Sequence, residues 1–156
     1  MGCKMSTYLR EVALKDANLI LEWINDPLDR KNSINQKPIL YDEHIEWLKN
    51  ALKDNNKYLY IMMIDDVPVG HIKLNLNNGT ADIGYCIAPE YRGKGLGKRI
   101  IELVIDEAKK NDKILRLSAA VKKTNIQSVK VFRHTKFKEE SLSEELLYFS
   151  FDLLSF

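Results

Sequence analysis

The sequence predicts a mixed α/β fold of the α+β kind, in which about seven strands form a mostly antiparallel sheet flanked by about four helices. Three observations support this prediction. Strand-like alternation and helix-like apolar spacing occupy separate segments, tight turns join three consecutive strands, and a glycine-rich turn opens an amphipathic helix. At 156 residues, 45% of them hydrophobic, the chain is expected to form a single domain, residues 1–156.

The first half of the chain predicts one strand, two helices and a three-stranded meander. Residues 7–13 form the first strand, and Asp16 is the expected N-cap of a helix that ends at Asp26-Pro27. Residues 28–40 read as irregular, and Asp42 is the expected N-cap of the second helix. Three strands then follow over residues 58–64, 67–76 and 81–88.

The second half alternates helices and strands. An apolar stripe predicts a helix over residues 96–110, and residues 115–121 form the next strand. Asn125 is the expected N-cap of a short helix that ends near residue 134. Two final strands are predicted over residues 137–142 and 146–153.

Charge and composition exclude several classes of function. Lys and Arg are scattered and the formal charge is only +2, so a nucleic-acid partner is not expected. Apolar runs are far shorter than the ~20 residues that cross a bilayer, so no membrane association is expected. Two cysteines, Cys3 and Cys86, are too few for a disulfide framework or a tetrahedral metal site, which favours a cytoplasmic protein without a metal.

The glycine-rich turn Arg92-Gly93-Lys94-Gly95-Leu96-Gly97 predicts an anion site. It follows a strand and opens a helix, so free N–H groups and the helix dipole face an incoming phosphate. The dinucleotide fingerprint fails because Lys98 stands where its third glycine is required. The P-loop fails because Arg99 follows Gly97-Lys98 in place of Ser or Thr.

The pattern Arg-x-x-Gly-x-Gly, read from Arg92 to Gly97, resembles the pyrophosphate loop of the GNAT family of N-acetyltransferases. Residues 83–89 are similar to the strand that precedes this loop in the family. A second block runs from Asn125 and Ser128 through Val131-Phe132 to Phe137, and it resembles the family's later helix and closing aromatic residue. The resemblance covers nearly the whole chain and implies the GNAT fold and acetyl-CoA as cosubstrate.

The resemblance also implies which residues contact acetyl-CoA. Strand backbone groups would hold the pantetheine arm, the glycine-rich turn would hold the pyrophosphate, and the later helix would contact the cofactor arm. These residues are Cys86, Ile87, Ala88, Arg92, Gly93, Lys94, Gly95, Leu96, Gly97, Asn125, Ser128 and Phe132.

Three side chains are candidates for catalysis. Phe132 stands where many relatives carry a tyrosine acid, and Ser128 is a substitute donor on the same helical face. A thiolate leaves readily even without an acid, because an ordinary thiol has a pKa near 8.5. Asp82 and Tyr85 are candidate bases, but strand alternation places them on opposite faces, so at most one can point into the cleft.

The acceptor is expected to be a small molecule with a primary amine. Residues 22–27, 39–44 and 47–48 resemble acetyltransferases that modify the 4-amino group of UDP-linked amino sugars, whereas Ser128 before a hydrophobic residue 132 resembles ribosomal-protein N-terminal acetyltransferases of the RimJ/RimL type. Arg30 and Lys31, in the segment 28–40, are the predicted substrate-binding residues. A non-catalytic acetyl-CoA-binding module is the third hypothesis, and the protein is expected to be a monomer or homodimer.

Overall fold

One seven-stranded sheet organises the computed structural model, which describes residues 6–153. Cys3 lies outside the described residues. The strands lie in the order β1-β2-β3-β4-β5-β7-β6, and within this sheet all neighbours are antiparallel except β4 and β5. Their bounds are β1 Thr7–Glu11, β2 Lys57–Ile64, β3 Val67–Asn77, β4 Thr80–Ile87, β5 Arg116–Lys122, β6 Lys138–Ser141 and β7 Leu146–Asp152. The predicted mixed α/β fold is confirmed.

Five helices in the described part of the chain cover the two faces of the sheet, one more than the four expected. They are α1 Ala17–Ile24, α2 Pro27–Asn32, α3 Tyr41–Lys53, α4 Leu96–Ala108 and α5 Ile126–Arg133. Alternation along the strands divides the core, because successive side chains point to opposite faces. Ile20, Trp23 and Leu48 of α1 and α3 pack on one face, whereas Ile100 and Phe132 of α4 and α5 pack on the other.

Strands β4 and β5 separate soon after they meet. They pair only from Thr80↔Arg116 to Asp82↔Ser118, and the remainder of β4, residues 83–87, has no strand partner on that side. On its other side β4 pairs with β3 along its whole length. The backbone of β4 therefore opens onto a gap directly before the glycine-rich turn.

The segment 28–40 differs from its prediction, because α2 occupies its first part. Asp26 caps α2 by accepting hydrogen bonds from the N–H groups of Leu28, at 3.1 Å, and Asp29, at 3.4 Å. Pro27 fits the first turn of a helix, where its missing N–H costs nothing. Asp26-Pro27 thus ends α1 and also begins α2.

Asp16 occupies the predicted N-cap position of α1 without acting as a cap, and the predicted N-cap Asp42 is wrong. The Asp16 side chain does not cap α1; it accepts two hydrogen bonds from Arg10, each 2.9 Å long, and one from the N–H of Ala13. Helix α3 begins at Tyr41 without a side-chain cap, so Asp42 lies inside its first turn. The third prediction is confirmed, because Oδ1 of Asn125 accepts from the N–H of Ser128 at the start of α5.

Residues 6–153 lack two features, a membrane-spanning helix and a metal-binding cluster. No helix in this range has the length and apolar composition that a bilayer crossing needs. The same residues contain no group of three or more His, Cys, Asp or Glu side chains arranged to hold a metal ion.

Candidate active site

The glycine-rich turn leads directly into α4. Gly93 and Gly95 adopt φ angles of +76° and +78°, a conformation that favours glycine, and a Cβ at either position would meet no protein atom within 4 Å. Gly95 is the N-cap residue of α4, and no side chain within residues 6–153 caps the first N–H groups of the helix. The turn therefore has the open approach and the free donors that a pyrophosphate requires.

Arg92 connects this turn to the segment before α2. Its Nη2 donates to Oδ2 of Asp26 at 2.8 Å, and both side chains are largely buried. Although desolvation acts in the opposite direction, the hydrogen bond from Arg92 leaves the pKa of Asp26 below its ordinary value. Because Asp26 also caps α2, the guanidinium links the anion site to the helix on the other side of the gap.

A cavity of about 540 Å³ extends from the glycine-rich turn into the gap beside β4. Its lining combines β4, the turn, α4 and α5 with part of α2. The predicted residues that line it are Tyr85, Cys86, Ile87, Arg92, Gly93, Gly95, Leu96, Gly97, Asn125 and Ser128. This elongated arrangement suits a ligand with a phosphate at one end and a flexible arm at the other.

Three residues predicted to contact acetyl-CoA do not line this cavity. Ala88 is buried and donates its N–H to the carbonyl of Val69 at 2.8 Å, so this donor is not available to a ligand. Lys94 is exposed, with Nζ 5.5 Å from the centre of the Tyr91 ring. Phe132 is only 1% exposed, because it packs in the core beneath α5.

The backbone of β4 offers its free groups at alternate residues. Because Ala88 bonds to β3, the register also turns the backbone N–H and C=O of Cys86 towards β3. The same groups of Tyr85 and Ile87 turn towards the gap, where β5 no longer pairs with them. Ile87 is therefore the member of the predicted trio 86–88 whose N–H can donate to a ligand in the cavity.

Tyr85 and Ser128 form a hydroxyl pair inside the same cavity. Their oxygens are 2.7 Å apart, and the Tyr85 ring contacts Phe132 edge to face. Burial raises the pKa of Tyr85 to about 12, so the phenol keeps its proton at neutral pH. The pair can donate a proton, whereas Tyr85 is unsuited to the role of a base.

Asp82 lies at the closed end of the gap. Oδ1 accepts from Oγ of Ser118 at 3.2 Å, where β4 and β5 still pair, and Asp82 lines neither this cavity nor the second one described below. Desolvation raises the pKa of Asp82, and the hydrogen bond from Ser118 and the charge of Lys73 partly offset this rise. Asp82 and Tyr85 do point to opposite faces, since Tyr85 packs against the core on the α4 side.

A second cavity, of about 410 Å³, lies on the opposite face of β4 under α1, α2 and α3. It is lined by Ile20, Ile24, Asp29, Arg30, Ser33, Ile39, Glu43, His44, Trp47, His71, Lys73, Gly84, Tyr85 and Cys86. Asp29, Tyr85 and Cys86 line both cavities. A second substrate in this cavity could therefore meet a cofactor arm across the end of β4.

Two ammonium groups approach one aromatic ring at this second cavity. Nζ of Lys73 lies 5.0 Å from the centre of the Trp47 ring, and Nζ of Lys57 lies 5.7 Å from it. Neither forms an ion pair with a carboxylate of the described residues. Burial lowers the pKa of Lys73, and the charge of Lys57 lowers it further.

His71 adds a neutral polar group to the wall of this cavity. It is 5% exposed, its Nδ1 lies 3.7 Å from Sγ of Cys86, and its Nε2 has no hydrogen-bond partner within residues 6–153. Burial lowers the pKa of His71 to about 3, so the ring is uncharged at neutral pH. Burial also raises the pKa of the Cys86 thiol, which excludes a reactive thiolate.

The two predicted substrate-binding residues have other surroundings than expected. Arg30 lines the second cavity, but its nitrogens are engaged within the segment 24–37: Nε donates to the carbonyl of Ile24 at 2.6 Å, and Nη1 donates to the carbonyls of Asn35 and Lys37. Lys31 is exposed and lines neither cavity. Arg30 thus stabilises this segment, and among the described residues Lys73 is the cation in the cavity lining that forms no ion pair.

Three side chains at these cavities were missed by sequence reasoning: Asp29, Trp47 and Lys73. Trp47 follows an apolar helical stripe and Lys73 lies in an alternating strand, so their local patterns predict only packing and solvation. Asp29 falls in a segment that reads as irregular. No local signal could show that three distant elements bring these side chains to one cavity.

Comparison with known proteins agrees with this geometry. Residues 7–138 match the family model described as an acetyltransferase (GNAT) domain, and the chain belongs to that family. It is thus an acetyl-CoA-dependent N-acetyltransferase. The predictions of the family, the acyltransferase activity and the cosubstrate are confirmed.

Individual relatives differ in the substrates that their names give. Acetyltransferase PseH of Campylobacter jejuni is 27% identical over 128 residues, which cover 81% of this chain and 80% of the relative. Spermidine N-acetyltransferase from Vibrio cholerae, solved with CoA and spermine, superimposes with a TM-score of 0.87 at 20% identity over 94% of this chain and 95% of its own. An aminoglycoside acetyltransferase bound to coenzyme A gives a TM-score of 0.80 at 15% identity over the same shares, so both structures show the fold.

Proposed function

We propose that this N-acetyltransferase acetylates a small amine that also carries phosphate, and that the acceptor is a UDP-linked 4-amino sugar. The observation that carries the proposal is the unpaired ammonium group of Lys73 in the second cavity, beside Trp47 and Lys57. A phosphate would pair with these cations, and the Trp47 ring offers a flat surface for a sugar or base. The sequence resemblance to UDP-amino-sugar acetyltransferases points the same way.

The charges of the second cavity favour an acceptor of mixed charge. Asp29 and Glu43 can attract an ammonium group, whereas Lys73 and Arg30 repel one. A polyamine carries only positive charge, so it can pair with the two carboxylates but offers no group of opposite sign to Lys73. An amino-sugar nucleotide has one ammonium group and a diphosphate, so each end finds groups of opposite sign.

In the first cavity, acetyl-CoA would lie with its pyrophosphate at the N-terminus of α4 and its pantetheine arm beside Ile87. The positive φ angles of Gly93 and Gly95 leave the turn open to the phosphates. The thioester would then approach the end of β4, between the Ile87 N–H and the Tyr85–Ser128 pair. This pose leads the acetyl group towards the second cavity.

The reaction is direct attack of the amine on the thioester. The amine nitrogen forms a bond to the carbonyl carbon, and the free N–H of Ile87 stabilises the oxyanion. Collapse of the intermediate breaks the carbon–sulfur bond and releases the CoA thiolate. The Tyr85–Ser128 hydroxyl pair donates a proton to that sulfur and recovers one, through water, from the nitrogen of the new amide.

A panel of acceptors tests the proposal. Free thiol release from acetyl-CoA would be measured with a UDP-linked 4-amino sugar, spermidine, an aminoglycoside and a peptide with a free N-terminus. We expect the highest kcat/KM for the UDP-amino sugar. A higher kcat/KM for spermidine or the aminoglycoside would contradict the anionic acceptor, and efficient acetylation of the peptide alone would instead support the ribosomal-protein branch.

The substitution Lys73→Met tests the phosphate contact. We expect the KM for the UDP-amino sugar to rise by roughly 10- to 100-fold, because a hydrogen bond to a charged group contributes about 1.5–3 kcal/mol. The affinity for acetyl-CoA should not change. Lys53→Met is the matched control, since Lys53 is exposed at the end of α3 and lines neither cavity. Unchanged acceptor KM in Lys73→Met would rule out this phosphate site.

A further inference from the structure

Asp29 is the only carboxylate of the described residues that lines both cavities. The other two residues at this junction, Tyr85 and Cys86, cannot serve as bases near neutral pH, because burial raises the pKa of the phenol and of the thiol. Glu43 lines only the second cavity, and Asp82 lines neither. The junction is where an acceptor amine must meet the thioester.

Hydrogen bonds that lead back to the glycine-rich turn hold Asp29 at this junction. The N–H of Asp29 donates to Asp26, and Asp26 in turn accepts from the Arg92 guanidinium beside the glycine-rich turn. The carbonyl of Asp29 accepts from Oγ of Ser33 at 2.7 Å, which ties the far end of α2. Both ends of this short helix are therefore anchored, and the Asp29 side chain is only 19% exposed.

The surroundings of Asp29 hold its pKa close to neutrality. Desolvation raises the pKa to about 6, although the Arg30 guanidinium, 3.5 Å away, and Arg92 lower it; the charge of Asp26 raises it further. Other charged or titratable groups line the second cavity together with Asp29 and come from β4, β3 and α3. They are Cys86, Tyr85, His71, Lys73, Glu43 and His44.

We propose that Asp29 is the general base that removes a proton from the acceptor's ammonium group before attack. The amine reaches the site protonated, and transfer of one N–H proton to the Asp29 carboxylate leaves a neutral nitrogen with a free electron pair. That pair forms the bond to the thioester carbon, and the carboxylic acid then returns its proton to water. The inference rests on acetyl transfer to an amine but is independent of the acceptor's identity.

A base at this position explains why the reaction can proceed near neutral pH. An amine with an ordinary alkaline pKa is almost wholly protonated there, and a protonated nitrogen cannot attack. A carboxylate whose pKa lies near 6 is ionised at pH 7 and still accepts a proton more readily than an exposed aspartate does. A contribution of about 100- to 10,000-fold is typical of such a positioned base.

The test compares Asp29→Asn with wild type in single-turnover acetylation, with whichever amine of the panel supports turnover. We expect the rate of the chemical step at pH 7 to fall at least 100-fold. The wild-type pH profile should lose activity below about pH 6, and this decline should be absent in the variant. Asp29→Glu should recover part of the rate. Asp42→Asn, an exposed aspartate in the first turn of α3, is the control and should behave as wild type.

Binding and folding measurements keep the result interpretable. Calorimetry should give the same acetyl-CoA affinity for Asp29→Asn and wild type, and thermal unfolding should show a folded variant. Carboxyl 13C NMR should show one resonance that titrates near pH 6 in wild type and is missing from Asp29→Asn. A folded variant that keeps the rate and the decline below pH 6 would overturn the proposal, as would a raised acceptor KM with an unchanged rate of chemistry.

Discussion

Tyr85 illustrates how one residue can contribute to both cavities. Its backbone N–H faces the gap beside β4, its ring packs against Phe132, and its hydroxyl reaches Ser128 on α5 at 2.7 Å. The family resemblance implies that many relatives carry a tyrosine acid at the position of Phe132. In this protein the position holds a buried phenylalanine. The Tyr85 hydroxyl thus supplies a donor from β4 where α5 has none at residue 132.

Removing this hydroxyl tests its role. In Tyr85→Phe we expect kcat to fall roughly 10- to 100-fold, because a hydrogen bond to the departing thiolate is lost while the thiolate can still leave unaided. Calorimetry should show little change in acetyl-CoA affinity. Tyr58→Phe, which removes a hydroxyl from half-buried β2 outside both cavities, is the control. A kcat equal to wild type in Tyr85→Phe would assign the proton to another group.

Candidate site residues could be predicted only where they belong to a sequence motif of fixed spacing. The glycines of the turn follow a fixed spacing that predicts an anion site, and Gly93 and Gly95 have the positive φ angles that favour glycine. The direction of each β4 backbone group depends on pairing with β3, which the spacing does not show. The sequence does not show that the N–H of Ala88 and the guanidinium of Arg30 already donate hydrogen bonds within the protein.

The N-termini of the helices also show which features the local sequence can predict and which it cannot. Asn125 caps α5 as predicted, because its partner Ser128 is three residues away. Asp16 likewise precedes a predicted helix in the sequence, yet Arg10 on β1 holds its carboxylate through two hydrogen bonds. A long side chain from another element competes with the local N–H groups, and no pattern within α1 reveals it.

The ion pair of Asp16 with Arg10 should stabilise the fold in a pH-dependent manner. Asp16→Asn should lower the free energy of unfolding by about 2 kcal/mol, since one partner of a largely buried pair is lost. The hydrogen bonds from Arg10 lower the pKa of Asp16 in the folded state, so this stabilisation is present above the unfolded pKa of about 4 and is lost as pH falls through the folded value.

Thermal unfolding of both proteins between pH 7 and pH 2 measures this effect. The difference in melting temperature, about 5 °C at pH 7 for a chain of this size, should shrink steadily below about pH 4. Asp112→Asn is a suitable control, because Asp112 is exposed in the turn after α4 and forms no ion pair within the described residues. A difference that stays constant down to pH 2 would show that the carboxylate's charge contributes nothing.

At the scale of the whole molecule, the separation of β4 from β5 creates the site. One face of the separated strand meets the first cavity, the other meets the second, and Asp29 of α2 lines both. The order of elements and the glycine-rich turn predicted the first cavity. The second depends on side chains from α2, α3 and β3 that lie far apart in the sequence, so its contents could not be predicted from local patterns.

Calorimetric titration of Gly95→Val with acetyl-CoA tests most directly whether the pyrophosphate of acetyl-CoA binds at the N-terminus of α4. A Cβ there meets no protein atom within 4 Å, but the branched side chain of valine would cover the free N–H groups and is disfavoured at a φ of +78°. Gly79→Ala imposes the same kind of backbone strain at the β3–β4 turn, away from the site, and serves as control. We predict that Gly95→Val binds acetyl-CoA at least roughly 100-fold more weakly than wild type, while Gly79→Ala binds it normally. A folded Gly95→Val that retains wild-type affinity would contradict the account.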